Sequence, residues 1–128
     1  MNDKINSVKE FHKLFNLDFL ETPKANIGLE KNKLRFNLMK EENEEYLNAA
    51  NNNDLIEVAD ALGDMLYILC GTIIEHGFQY KIDEIFDEIQ NSNMSKLGND
   101  GKPIYREDGK VLKGPNYFKP NIEKILNS

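Results

Sequence analysis

Along the first stretch of the chain, apolar residues fall at Ile5, Val8, Phe11, Leu14 (with Phe15) and Leu17. Steps of three and four predict an amphipathic helix over residues 5–17. Residues 18–28 contain Pro23, lose the period and read as a connection. A second helix is expected over about 29–51, with apolar positions Leu34, Leu38, Tyr46 and Ala49. The run Asn51-Asn52-Asn53-Asp54 is a turn, and either Asp54 or Asn53 can cap the helix that follows. Glu57, three residues after Asp54, completes a capping-box spacing. The third helix, about 54–76, is the most apolar piece of the chain and stops at Gly77. A fourth, about 82–96, carries Ile82, Ile85, Phe86, Ile89 and Met94 close to helical spacing. No strand-type alternation of any length interrupts these four segments. Helices joined by short connections predict an all-α fold, an antiparallel four-helix bundle.

The character changes at Gly98. The tail holds four of the eight glycines and three of the four prolines, with turn signals at Asn99-Asp100-Gly101 and Asp108-Gly109. Residues 103–106 and 110–112 can form a short hairpin, and 121–126 can add a helical turn. The simplest organisation is one domain over 1–128. It has a helical core of about 4–97 and a glycine-rich basic loop or short hairpin over about 98–120.

Composition narrows the function. With 128 residues, 40% hydrophobic and 30% charged, the chain has the make-up of a globular domain. A net charge of −6 argues against a nucleic-acid partner, although small phosphorylated ligands remain open because a metal can supply local positive charge. Cys70 is the only cysteine and reads as a core residue rather than half of a disulfide. The charged N-terminus has no apolar core of signal-peptide length, and the longest apolar run, 65–74, is too short to span a bilayer. The expectation is a cytoplasmic protein without a membrane partner.

The candidate chemistry lies in misplaced carboxylates. Glu57, Asp60 and Asp64 stand at i, i+3 and i+7, one stripe of the most apolar helix. A helix apolar nearly all round is a central one, so the stripe should face an interior cleft. Glu42 and Glu45 stand one turn apart on the second helix, and an antiparallel hairpin would bring them opposite Glu57 and Asp60. Four ionised carboxylates in one cleft repel, and burying them without a partner costs several kcal/mol each. A hard divalent cation relieves both problems. Oxygen ligands with no Cys/His set suit Mg2+ or Mn2+ rather than zinc. Glu41 and Glu44 read as a solvated face, and Lys33 or Lys40 can neutralise neighbours.

These residues carry a resemblance. Glu42-Asn43-Glu44-Glu45 followed by Glu57-Val58-Ala59-Asp60 resembles the paired acidic signature of the MazG-like, all-alpha nucleoside triphosphate pyrophosphohydrolases. The strings KEENEEYL and DLIEVADALGDMLYIL look like that family's second and third helices. The tail NMSKLGNDGKPIYREDGKVLKGPNYFKP resembles a subgroup related to dimeric dUTPases and phosphoribosyl-ATP pyrophosphohydrolases. The resemblance implies a helical bundle that is a homodimer or homotetramer, with Mg2+ (Mn2+ as a substitute) held by Glu42, Glu45, Glu57 and Asp60. It makes Glu41 the candidate to orient or deprotonate the attacking water, and Asp64 a ligand through water or a sugar contact. The implied reaction converts a nucleoside triphosphate to the monophosphate and pyrophosphate, and the implied role is nucleotide-pool house-cleaning. The tail points first to dUTP or another pyrimidine or modified nucleotide.

The basic excess between Lys96 and Lys119 in an acidic chain reads as a phosphate-binding lid. Its alternative is a solvated hairpin that pairs with another subunit. Asn93, Lys96 and Lys113 are the expected phosphate or sugar contacts. Tyr117, like Tyr105, either stacks on a base or packs the loop. His76 suits a helix C-terminus; His12 reads first as a surface residue, with a contact to the base pocket as the alternative. Two rivals remain: phosphoribosyl-ATP as the substrate, and a non-catalytic helical dimerisation module. A calcium sensor is excluded because no alternating acidic loop with a central glycine is present.

Overall fold

The computed structural model describes residues 1–128 and contains five helices and no strand: α1 (Asn2–Leu14), α2 (Leu29–Asn51), α3 (Leu55–Glu75), α4 (Ile82–Met94) and α5 (Ile122–Leu126). The expected all-α class is what forms. The chain divides into two compact units, Met1–Tyr80 and Lys81–Ser128.

In the first unit α1 and α2 both pack on α3. Asp54, not Asn53, starts α3: its carboxylate accepts a hydrogen bond from the Glu57 backbone N–H at 3.1 Å. Asn53 instead takes a left-handed φ of 54° in the turn, a conformation that asparagine tolerates better than most residues. α3 ends at Glu75, and Gly77 follows with a φ of 78°. A side chain there would meet the Thr22 carbonyl at 2.1 Å, so only glycine lets the 18–28 connection return this close. That connection is tied to the end of α3 by Leu20 N–H to Ile74 O (3.0 Å) and Lys24 N–H to His76 O (2.8 Å).

Three expectations about buried faces need correction. On α1 the buried stripe is Ile5, Val8 and His12, whereas Phe11 and Leu14 are exposed. His12 is therefore a core residue rather than a surface one. On α2 the inward positions include Arg35 and Ala49, while Leu34 and Tyr46 face outward. On α3 burial is concentrated in the second half, at Cys70, Gly71, Ile73 and Ile74, with Ala61 the one buried residue of the first half. The first turn of α3 is open, with Leu55 82% and Ile56 77% exposed.

The second unit holds α4, the glycine-rich segment and α5. Asn121 caps α5 by accepting from the Lys124 N–H at 3.1 Å. The expected hairpin shrinks to one antiparallel bridge, Tyr105 with Val111, flanked by Arg106 N–H to Lys110 O and Leu112 N–H to Ile104 O, both 2.8 Å. The turn is closed by an Arg106–Asp108 ion pair and by Gly109 at φ 86°. Ser92 is buried and donates to Phe118 O at 2.8 Å, pinning the end of the segment to α4.

Candidate active site

Position by position, α2 presents Arg35, Leu38, Glu42, Glu45 and Ala49 at intervals of three and four, which is one helical face. α3 presents Glu57, Asp60 and Asp64 in the same manner. The turn between them folds the two helices antiparallel and brings Asp64, rather than the expected Glu57 and Asp60, together with Glu42 and Glu45; Glu57 and Asp60 are exposed and lie outside that group. Carboxylate oxygens of Glu42, Glu45 and Asp64 all lie within 4.8 Å of one another. Burial, then the negative charges of Glu45 and Asp64, with Asp60 contributing further, push the Glu42 carboxyl above the usual carboxylate range. Glu42 is half-buried, and its Oε2 is sealed from solvent with no hydrogen-bond partner.

Glu57 lies toward the other end of this face. With Glu45, Asn48, Ala49, Asn52 and Asp54 it lines an open depression of about 350 Å³ beside the cluster. None of Glu42, Glu45, Glu57, Asp60 and Asp64 takes part in an ion pair; the nearest lysine along the helix, Lys40, pairs with Glu44 instead. A converging set of oxygens, one of them buried without a partner, and no protein cation to balance them fits a hard divalent ion. Glu41 is one residue off this face and exposed.

The basic residues expected to meet phosphate belong to the second unit. Lys113 stacks its ammonium over the Tyr117 ring, 4.7 Å from the centroid. The Lys96 backbone joins the same corner: its carbonyl accepts from Gly114 N–H at 2.8 Å, and its N–H donates to Asn93 O at 3.2 Å. Asn93, Lys96, Lys113 and Tyr117 thus stand along one connected stretch of backbone.

A polar group near the acids went unnoticed in the pattern. Arg35 is 7% exposed and reaches three acceptors on α3: Thr72 Oγ1 from Nε (3.1 Å), Glu75 Oε2 from Nη1 (2.8 Å) and Ile68 O from Nη2 (2.9 Å). His12 Nε2 meets the same Glu75 oxygen at 3.2 Å, and its Nδ1 meets Val8 O at 3.1 Å. Gly71 makes room for both; a Cβ there would stand 2.7 Å from Arg35 Nη2 and 3.3 Å from His12 Cε1. The one available signal was a glycine inside a strongly apolar helix, which marks close approach by a neighbour.

Comparison with known proteins agrees with the class that fold and acids define, a helical hydrolase of phosphoanhydride bonds. The family profile for phosphoribosyl-ATP pyrophosphohydrolase matches residues 8–93, a span that contains every acid above. A solved structure of a proposed NTP pyrophosphohydrolase from Exiguobacterium sp. 255-15 is similar at 26% identity and a TM-score of 0.51, over 97% of this chain and 91% of that one. No curated protein sequence matches. The chain belongs to the phosphoribosyl-ATP pyrophosphohydrolase family, within the MazG-like all-alpha NTP pyrophosphohydrolase superfamily. No helix is long and apolar enough to cross a membrane.

Proposed function

We propose that this protein is a magnesium-dependent nucleoside triphosphate pyrophosphohydrolase that releases the monophosphate and pyrophosphate. The observation that carries the reading is the mutual approach of carboxylate oxygens of Glu42, Glu45 and Asp64, with Glu42 Oε2 buried and without a hydrogen-bond partner. By the resemblance Glu42, Glu45, Glu57 and Asp60 would hold Mg2+, with Mn2+ as a substitute, and Asp64 would act through a water or on the sugar. The observed cluster instead favours Asp64 beside Glu42 and Glu45 as a ligand, with Glu57 and Asp60 outside it. Such an ion, when bound, neutralises phosphate charge and acidifies water. Glu41, exposed beside Glu42, takes the proton of the attacking water. The water oxygen bonds to the α-phosphorus as the bond to the bridging oxygen breaks, and pyrophosphate leaves with that electron pair. Asn93, Lys96 and Lys113 contact the phosphates or sugar and balance the phosphate charge, and Tyr117 stacks on the base.

dUTP or another pyrimidine or modified deoxynucleotide is the first substrate we propose, from the tail's resemblance to dimeric dUTPases. The matching family profile favours a second, phosphoribosyl-ATP. Incubation with a panel of nucleoside triphosphates and with phosphoribosyl-ATP, in Mg2+ or in EDTA, separates the two. Pyrophosphate formed from triphosphates only with Mg2+ supports the first reading. Turnover of phosphoribosyl-ATP alone selects the second, and turnover of nothing contradicts both. The exposed Leu55, Ile56, Leu62 and Leu69 support assembly into a homodimer or homotetramer, which sedimentation measures directly.

A further inference from the structure

We propose that Arg35 is a positioning residue, the clamp that sets the register of α2 against α3 and so assembles the acid cluster. The inference rests on the metal-site reading given above. Antiparallel helices packed through apolar side chains can slide, because hydrophobic contact is non-directional. A slip of one turn moves facing residues by about 5.4 Å, more than the 4.8 Å within which the oxygens of Glu42, Glu45 and Asp64 gather. Repulsion among those carboxylates favours such a slip or a splaying of the helices at that end.

Arg35 opposes it. Its guanidinium is a rigid fork whose donors reach fixed directions, and its three acceptors, Ile68 O, Thr72 Oγ1 and Glu75 Oε2, span two turns of α3. Shifting α3 by a turn would break all three bonds inside a buried site. From Arg35 to Glu42 is seven residues along α2, and from Thr72 back to Asp64 is eight along α3. Matched steps of about two turns on antiparallel helices put the clamp and the cluster on one rigid ladder. The space for the guanidinium comes from Gly71, and Glu75 is held from the other side by His12. A polar group that fixes the register of packed helices is the best-attested use of burying one.

The test compares Mn2+ binding by calorimetry with thermal denaturation in EDTA, for the wild type, the double variant Arg35→Met/Glu75→Gln, Arg35→Lys and Thr72→Val. The double variant removes the fork without leaving a buried carboxylate unpaired. The expected result is a folded protein that binds Mn2+ about tenfold more weakly, the lower end for groups that orient metal ligands. Arg35→Lys should not restore affinity, because an ammonium keeps the charge without the fork. Thr72→Val removes one acceptor and should weaken binding less, in the same direction. Should the double variant fail to fold, Thr72→Val decides. Unchanged Mn2+ affinity in a folded variant, with binding intact in the wild type, overturns the clamp and leaves the metal site standing. Absence of Mn2+ binding to the wild type overturns both.

Discussion

Glu42 on α2 and Asp64 on α3 bring carboxylate oxygens within 4.8 Å of each other, with no cationic side chain paired to either. Like charges this close oppose folding unless something outside the chain balances them. If a cation binds there as proposed, it stabilises the site, and stability without the ion and activity with it should respond oppositely to the same substitutions.

Glu42→Gln removes one charge at nearly constant volume. The metal-free protein should gain about 1 kcal/mol, seen as a melting temperature a few degrees higher in EDTA. Pyrophosphate release should fall at least about a hundredfold, as for loss of a group that stabilises the transition state electrostatically. A variant less stable in EDTA than the wild type contradicts the repulsion argument.

The same residue fixes the sign of a pH dependence. Its folded-state pKa lies above the ordinary carboxylate value of 4.5, through burial first and then the neighbouring acids. Its contribution to metal-free stability is thus fully present below about pH 4.5, the unfolded value, and is lost as pH rises through the folded value. Metal binding requires the ionised form, so the stabilisation by Mg2+ should grow as pH rises over that window. Thermal melts with Mg2+ and with EDTA across the range should diverge upward in the wild type and much less in Glu42→Gln.

Removing one member of the buried ion group should be severe. Glu75→Ala leaves Arg35, 7% exposed, without its carboxylate partner. A loss of about 3–5 kcal/mol is expected in urea denaturation. A loss below about 1 kcal/mol, the level of an exposed pair, would show that the group is not buried in solution.

The N-terminus of α3 gives a milder test. Asp54→Ala deletes the bond to the Glu57 N–H and should cost about 1 kcal/mol. The same measurement on Asn53→Ala should show no loss of a cap, only the small cost of holding alanine at a positive φ that asparagine tolerates better.

The helical segments were legible because their apolar spacing, the Asp54 cap and the Gly77 stop all point to the same boundaries. The acids stand out in the pattern, but the interior cleft expected for the Glu57, Asp60 and Asp64 stripe does not form: Glu57 and Asp60 are exposed, and only Asp64 joins Glu42 and Glu45. What the pattern concealed is where polar side chains serve the core. Arg35 and Leu34 are adjacent, and hydropathy selects the leucine; only the fork's three acceptors on a distant helix make the arginine the inward residue. His12 was misplaced for the same reason, because its partner Glu75 stands 63 residues away. The open first turn of α3 was also hidden, since periodicity shows that a face is apolar but not whether the same chain covers it. Placing Asp64 with Glu42 and Glu45 needed the register of two helices, which no single-helix period contains.

The most direct measurement is hydrolysis of a nucleoside triphosphate in ¹⁸O-labelled water with Mg2+, following the label by ³¹P NMR. Metal-assisted attack at the α-phosphorus puts ¹⁸O in the nucleoside monophosphate, leaves pyrophosphate unlabelled, and gives no turnover in EDTA or in Glu57→Gln. Label in pyrophosphate or orthophosphate, or turnover undiminished by EDTA, would contradict it.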